Sequence, residues 1–158
     1  MPGFEIESKL RVDVDSLANE LFSMEAVNQE LSPLVRMSVP SEWRNVPIRQ
    51  WPCGEFLFKS WITLFGFLPV DLHFVRLSGV RETSFQETSS SLVNRHWNHE
   101  RTISCRGNGS VRDNGSLIRD KVQYASRFSP LGYLLLPIYK WVFQHRHRRL
   151  KSKYGEYS

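Results

Sequence analysis

Leu117-Ile118-Arg119-Asp120-Lys121-Val122-Gln123-Tyr124 alternates apolar and polar side chains, and a helical pattern begins soon after it. Alternation with a period of two is the mark of a half-buried strand. Ser129-Pro130-Leu131-Gly132 then opens a helix. In it Leu135, Ile138, Tyr139, Val142, Phe143, Arg146 and Leu150 recur at helical spacing. Pro137 is tolerated in a first turn and otherwise kinks the helix, and Gly155 is a stop signal. A strand feeding a long terminal helix fixes the architecture, because no other element is large enough to cover a sheet with an apolar face.

Upstream the same reading gives more strands. Phe4 to Val12 alternates, and Asp13 and Asp15 then offer caps to a short helix from about Asp15 to Met24. Pro33 closes the helical region. Pro40 to Pro52 reads as a loop. Phe56 to Phe65, Val70 to Val80, Thr83 to Val93, Trp97 to Cys105 and Ser116 to Arg127 read as strands. Gly66 and Pro69 mark one turn, and two Asn-Gly pairs between Gly107 and Gly115 mark another. The expectation is an α+β fold: a curved antiparallel sheet of about six to seven strands wrapped around a long C-terminal α-helix, with short helices after the first strand.

Bulk properties agree. A chain of 158 residues fits a single domain over 1–158, with enough core to stand without staples. A hydrophobic share of 41% excludes a disordered polar chain. The aromatic residues suit either an ordinary packed core or the walls of a cavity. Cys53 and Cys105 make neither a disulfide framework nor a zinc site, and read as buried thiols in a reducing, cytoplasmic compartment. Met1 to Arg11 has no apolar signal-peptide region. Phe56 to Val75 comes nearest to a membrane span, but Lys59, Asp71, His73 and Pro69 interrupt it. Asn108-Gly109-Ser110 and Asn114-Gly115-Ser116 match the glycosylation sequon and read better as turns.

The net charge of +5 is concentrated. Six of the 21 bases lie between Lys140 and Lys153 with no acid among them, which leaves fifteen bases against sixteen acids elsewhere. The basic helix end, about 145–154, is expected to stay in solvent, where its sign complements the helix dipole. A membrane surface is a possible partner for it. Nucleic acid is not expected, since it calls for a broader basic footprint.

Three stretches together resemble the START and Bet v 1 (SRPBCC) superfamily, in its polyketide cyclase/dehydrase-like or an uncharacterised ligand-binding branch. They are Glu30 to Met37 followed by Pro40; Trp97 to Arg101 with Leu117 to Tyr124 after a glycine turn; and Phe143 to Leu150. The resemblance implies a helix-grip fold with a ligand cavity between sheet and helix. It leaves function open, because the superfamily hosts lipid carriers, hormone receptors, aromatases and cyclases.

Strand alternation then sorts the candidate residues. Ile118, Asp120, Val122 and Tyr124 share the face turned to the helix. Trp97, His99, Arg101, Ile103 and Cys105 share a face, as do Phe85 and Glu87, and Leu72 and Phe74. The expected cavity has Phe74, Phe85, Trp97, Tyr124, Tyr139 and Phe143 as walls and Glu87, His99, Arg101 and Asp120 as polar anchors. It would bind a small hydrophobic molecule such as a lipid, quinone or polyketide-like compound. Alternatively, Asp120 beside His99 would perform acid–base chemistry in a cyclase or dehydratase, or the four polar residues form a buried ion pair network that fixes strand register. Arg146, on the apolar stripe of the helix, is placed to reach a carboxylate in the sheet. No cofactor is expected, for want of a phosphate loop or nucleophile motif. No metal is expected either, since the histidines lack ligand spacing.

Overall fold

Register along the last two long strands sets the frame. The computed structural model describes residues 1–105 and 115–156. Its elements are β1 (Gly3–Leu10), α1 (Val14–Leu21), α2 (Met24–Leu31), β2 (Val35–Met37), β3 (Phe56–Leu64), β4 (Leu68–Val80), β5 (Ser84–Ser91), β6 (Asn94–Cys105), β7 (Ser116–Ser126) and α3 (Ser129–Tyr154). All seven strands join one antiparallel sheet in the order β1-β7-β6-β5-β4-β3-β2. Arg101 pairs with Asp120 and His99 with Val122 across β6 and β7, so both polar residues of β6 share the inner face with Asp120. The expected Asn-Gly turn falls almost wholly in residues 106–114, outside the described residues.

The short helices expected after the first strand are present, divided where Ser23 is extended (φ −152°) and its hydroxyl caps the start of α2 at the Ala26 amide. One strand, β2, was not expected. β2 is too short to show alternation. It is held by the Asn28 side chain, which donates to the Met37 carbonyl and accepts from the Met37 amide. The β3–β4 connection is the three-residue turn Phe65-Gly66-Phe67, in which Phe65 and Gly66 have φ of +53° and +81°. Gly66 suits that geometry, whereas a left-handed Phe65 costs about 1 kcal/mol.

The inner face alternates as expected on β5, β6 and β7. On β4 the opposite parity to that expected faces the core: His73, Val75 and Leu77 point inward. Phe74 is therefore a correction. It lies on the outer face, opposite Lys59 in the register and against the Phe56 ring at 6.4 Å. The run Leu72-His73-Phe74-Val75 is apolar on both parities, so hydrophobicity could not choose between them. The two cysteines are a second correction, since both are exposed. Cys53 sits in the loop before β3, and Cys105 ends β6 where the buried alternation runs out.

Helix α3 supplies the third correction. Its basic end, expected in solvent, keeps Arg148, Arg149 and Lys153 exposed but turns Arg146 and His147 inward. Phe143, Arg146, His147 and Leu150 all face the core there. The apolar upper half is the open one, with Leu134 68%, Ile138 54% and Trp141 49% exposed. Sequence hydrophobicity failed because α2 covers only the lower half, and Arg146 and His147 find charged partners inside. Among the described residues no helix is long and apolar enough to cross a membrane.

This division has a direct test. Leu150→Ala, in the buried half, should cost about 2–5 kcal/mol of unfolding free energy. Leu134→Ala should stay within about 0.5 kcal/mol, as surface substitutions do. Urea titration of both variants reads the contrast.

Candidate functional site

The expected anchors do converge, and they converge on each other. Arg101 and Asp120 are fully buried. The Arg101 guanidinium donates to both Glu30 oxygens, at 2.9 and 2.7 Å, and to both Asp120 oxygens, at 2.8 and 2.7 Å. It thus joins α2 to β7 through β6. Arg146 on α3 reaches the same Glu30 at 3.2 Å. The expectation that Arg146 finds a carboxylate holds, but that carboxylate is on a helix and not in the sheet.

Asp120 has further partners. His99 Nε2 lies 2.7 Å from one oxygen and His147 Nε2 2.8 Å from the other. With that nitrogen of His147 donating to Asp120, its Nδ1 accepts the Ser8 hydroxyl of β1 at 2.7 Å. On its far side His99 Nδ1 faces Glu87 at 3.8 Å. Glu87 in turn accepts from His73 at 2.5 Å and from the Ser89 hydroxyl at 2.7 Å. The network runs from β4 through β5, β6 and β7 to β1, α2 and α3.

Its charges nearly cancel. Three carboxylates, Glu30, Glu87 and Asp120, face two guanidiniums, Arg101 and Arg146. One more positive charge closes the balance, and His99 is placed to carry it. Burial alone would lower its pKa, but hydrogen bonds to Asp120 and Glu87 raise it above the ordinary 6.5. Burial likewise opposes the charged forms of the acids. The Arg101 guanidinium overrides it at Asp120, and His73 with His99 overrides it at Glu87, so both stay ionised well below the usual carboxylate range.

Around the network stands an aromatic shell. Phe85 meets His99 edge-on at 5.6 Å, and Phe143 meets it at 5.1 Å. Above them Tyr139 packs on Trp97 at 5.2 Å and on Tyr124 at 4.9 Å. Of the expected site residues, Phe85, Glu87, Trp97, His99, Arg101, Asp120, Tyr124, Tyr139 and Phe143 therefore share one interior, and Phe74 does not. At their level this interior is filled by their mutual contacts.

Several members were missed by sequence reasoning. Glu30 was legible: Ala26, Val27 and Leu31 are buried on α2, and Glu30 lies on their face. His73 alternates with Val75 and Leu77, and Ser8 alternates with Leu10. A signal existed at His147 too, one turn from both Phe143 and Leu150.

A cleft of about 580 Å³ lies between α2 and the lower half of α3, lined by residues that include Glu20, Gln29, His145, Arg148, Arg149 and Lys153. The upper half of α3 carries bare apolar side chains instead. Leu134, Ile138, Trp141 and His145 form one helical stripe at i, i+4, i+7 and i+11. His145 is covered where its Nε2 donates to the Ser32 carbonyl at 2.8 Å, just past α2. Above that point the stripe is bare. On the sheet-facing side of α3, Tyr139 Oη accepts from Asn94 Nδ2 at 2.8 Å, while the buried Asn94 Oδ1 has no partner.

Two expectations follow for the network. Asp120→Asn leaves Arg101 short of a buried countercharge and should cost about 3–5 kcal/mol, read by urea unfolding. The pH dependence has a definite sign. A raised histidine pKa stabilises the fold fully below its unfolded value near 6.5, and that stabilisation is lost as pH rises through the higher folded value. The urea midpoint should therefore fall on the alkaline side of pH 6.5, and His99→Gln should flatten that limb.

Comparison with known proteins matches this architecture. No curated protein sequence matches the chain. Among solved structures it is similar to protein CV1439 from Chromobacterium violaceum, at 11% identity and a TM-score of 0.66, covering 99% of this chain and 100% of that one. It is similar to a START superfamily protein from Mycobacterium smegmatis, at 8% identity and a TM-score of 0.64, covering 96% of each chain. Ara h 8.0201 is similar at 14% identity and a TM-score of 0.62, again over 96% of each. Likeness at such identities shows the fold alone, a helix-grip α+β fold shared with these proteins. Residues 8–154 match the family model described as a domain of unknown function, DUF8410, and the chain belongs to that family.

Proposed function

We propose that this chain is a single-domain binding module for a small hydrophobic molecule of lipid, quinone or polyketide-like chemistry. The molecule lies along the upper half of α3, against the bare stripe of Leu134, Ile138 and Trp141. One observation carries this reading: the stripe is covered at His145 and uncovered for two turns above it. Apolar side chains left bare in this way mark a place where something apolar sits. Trp97 and Tyr139 remain at the edge of this site. The other expected contacts, Glu87, His99, Arg101 and Asp120, are assigned a structural role.

The same assignment weighs against a cyclase or dehydratase built on Asp120 and His99. A general acid or base needs an atom that reaches the substrate. Both oxygens of Asp120 are taken by protein donors, and both nitrogens of His99 face carboxylates.

Native mass spectrometry of freshly purified protein should show a co-purifying hydrophobic molecule, or added lipid, quinone or polyketide-like probes should bind. Ile138→Asp, at a half-exposed helix position, should weaken that binding at least about tenfold through loss of apolar contact. Its urea midpoint should stay near that of the parent protein. Absence of any bound molecule, or binding indifferent to Ile138→Asp, would remove the proposed site.

A further inference from the structure

The antiparallel order brings three connections to one end of the sheet. They are the β3–β4 turn, the β5–β6 turn, and the link from β7 into α3. Each carries bare apolar side chains: Phe65 and Phe67 on the first, Leu92 on the second, and Phe128 on the third, with Tyr133 in the next turn of α3. Phe65 and Phe67 are 62% and 75% exposed and stack on each other at 6.5 Å. Phe65 also holds a left-handed backbone that Asn or Gly would adopt with less strain. Strain at an exposed aromatic tip is a sign of use.

Charge at this end is one-sided. The segments that build it, residues 32–36, 63–70, 90–96 and 125–134, hold Arg36, Arg95 and Arg127 and no aspartate or glutamate. The nearest acid, Asp71, is committed to the amides of Leu72 and Val93. The other basic region, the tail of α3, lies at the opposite end, because α3 runs from this end away along β7.

We propose that this end of the sheet docks on an anionic lipid bilayer. Phe65, Phe67, Leu92, Phe128 and Tyr133 enter the interface, and Arg95 and Arg127 meet the headgroups. Side chains standing on separate turn tips, at the ends of neighbouring strands, suit a broad soft surface better than a groove in a partner protein. Aromatic side chains favour the bilayer interface, and arginines near it add attraction to anionic lipid. The proposal is independent of the ligand site, which lies along the side of α3.

Co-sedimentation of the full chain with vesicles is the test. Vesicles of equal parts phosphatidylcholine and phosphatidylglycerol should bind the protein, and pure phosphatidylcholine should bind it less. Phe65→Ser with Phe67→Ser should lower binding more than about tenfold. Arg95→Gln and Arg127→Gln should each lower it about fivefold, on the anionic vesicles only. Far-UV circular dichroism and the urea midpoint confirm that the variants fold. Ile138→Asp should keep vesicle binding while losing the hydrophobic ligand, so the two sites fail separately. Binding that instead falls with Arg148→Glu and Lys153→Glu would place the contact on the basic tail and overturn the proposal. So would absence of binding, or a dimer in sedimentation equilibrium that the double phenylalanine variant abolishes.

Discussion

Arg101 is the side chain on which the rest of the structure turns. Its guanidinium sits fully buried between Glu30 and Asp120, with every contact charge-assisted. Burying one such cation without partners is prohibitive, so α2, β6 and β7 can occupy the core only in the register that brings these three residues together. Asp120 then recruits His99 and His147, and Glu30 recruits Arg146. The position of α3 along the sheet follows from those contacts as much as from Phe143 and Leu150.

This constraint explains why the fold was far more legible than the site. Strand alternation in Ser116 to Ser126 and the helical period after Ser129 are properties of single segments, and both can be read directly. The order of elements then leaves few topologies. The inner positions of Asp120, Arg101, His99 and Glu87 also followed from alternation. Whether they surround a space or fill it depended on Glu30, Arg146 and His147, which arrive from helices. Arg146 was expected to reach a carboxylate, but Glu30 and His147 were not placed with them, because a charged residue on a helix reads as surface until its partner is known. Phe74 failed for a different reason, since its stretch of β4 is apolar on both faces.

The halves of α3 differ in what they bury. Below, polar side chains turn inward and are satisfied, so hydrophobicity is a poor guide to burial there. Above, apolar side chains turn outward and lack cover. An exchange of this kind is difficult to account for by stability alone: the interior bears charge that well-packed apolar residues could replace, and the surface bears apolar groups that polar ones could replace. The two departures lie on one helix. The interior network holds the helix in place while its upper flank stays open.

The spread of the network along the chain bears on how the protein folds. Glu30, Arg101, Asp120 and Arg146 come from four elements, and the contacts joining them span up to 116 residues of sequence. Closing such loops is slow, and the contacts form only when all four elements are present. A chain that has built its sheet but not yet docked α3 holds Glu30 and Asp120 without Arg146 and His147, in surroundings already half dry. Such a species is high in energy, so partly folded forms are depleted and unfolding runs between two populated states. The buried charges thereby act on the folding landscape, by penalising every arrangement in which only some of them have met.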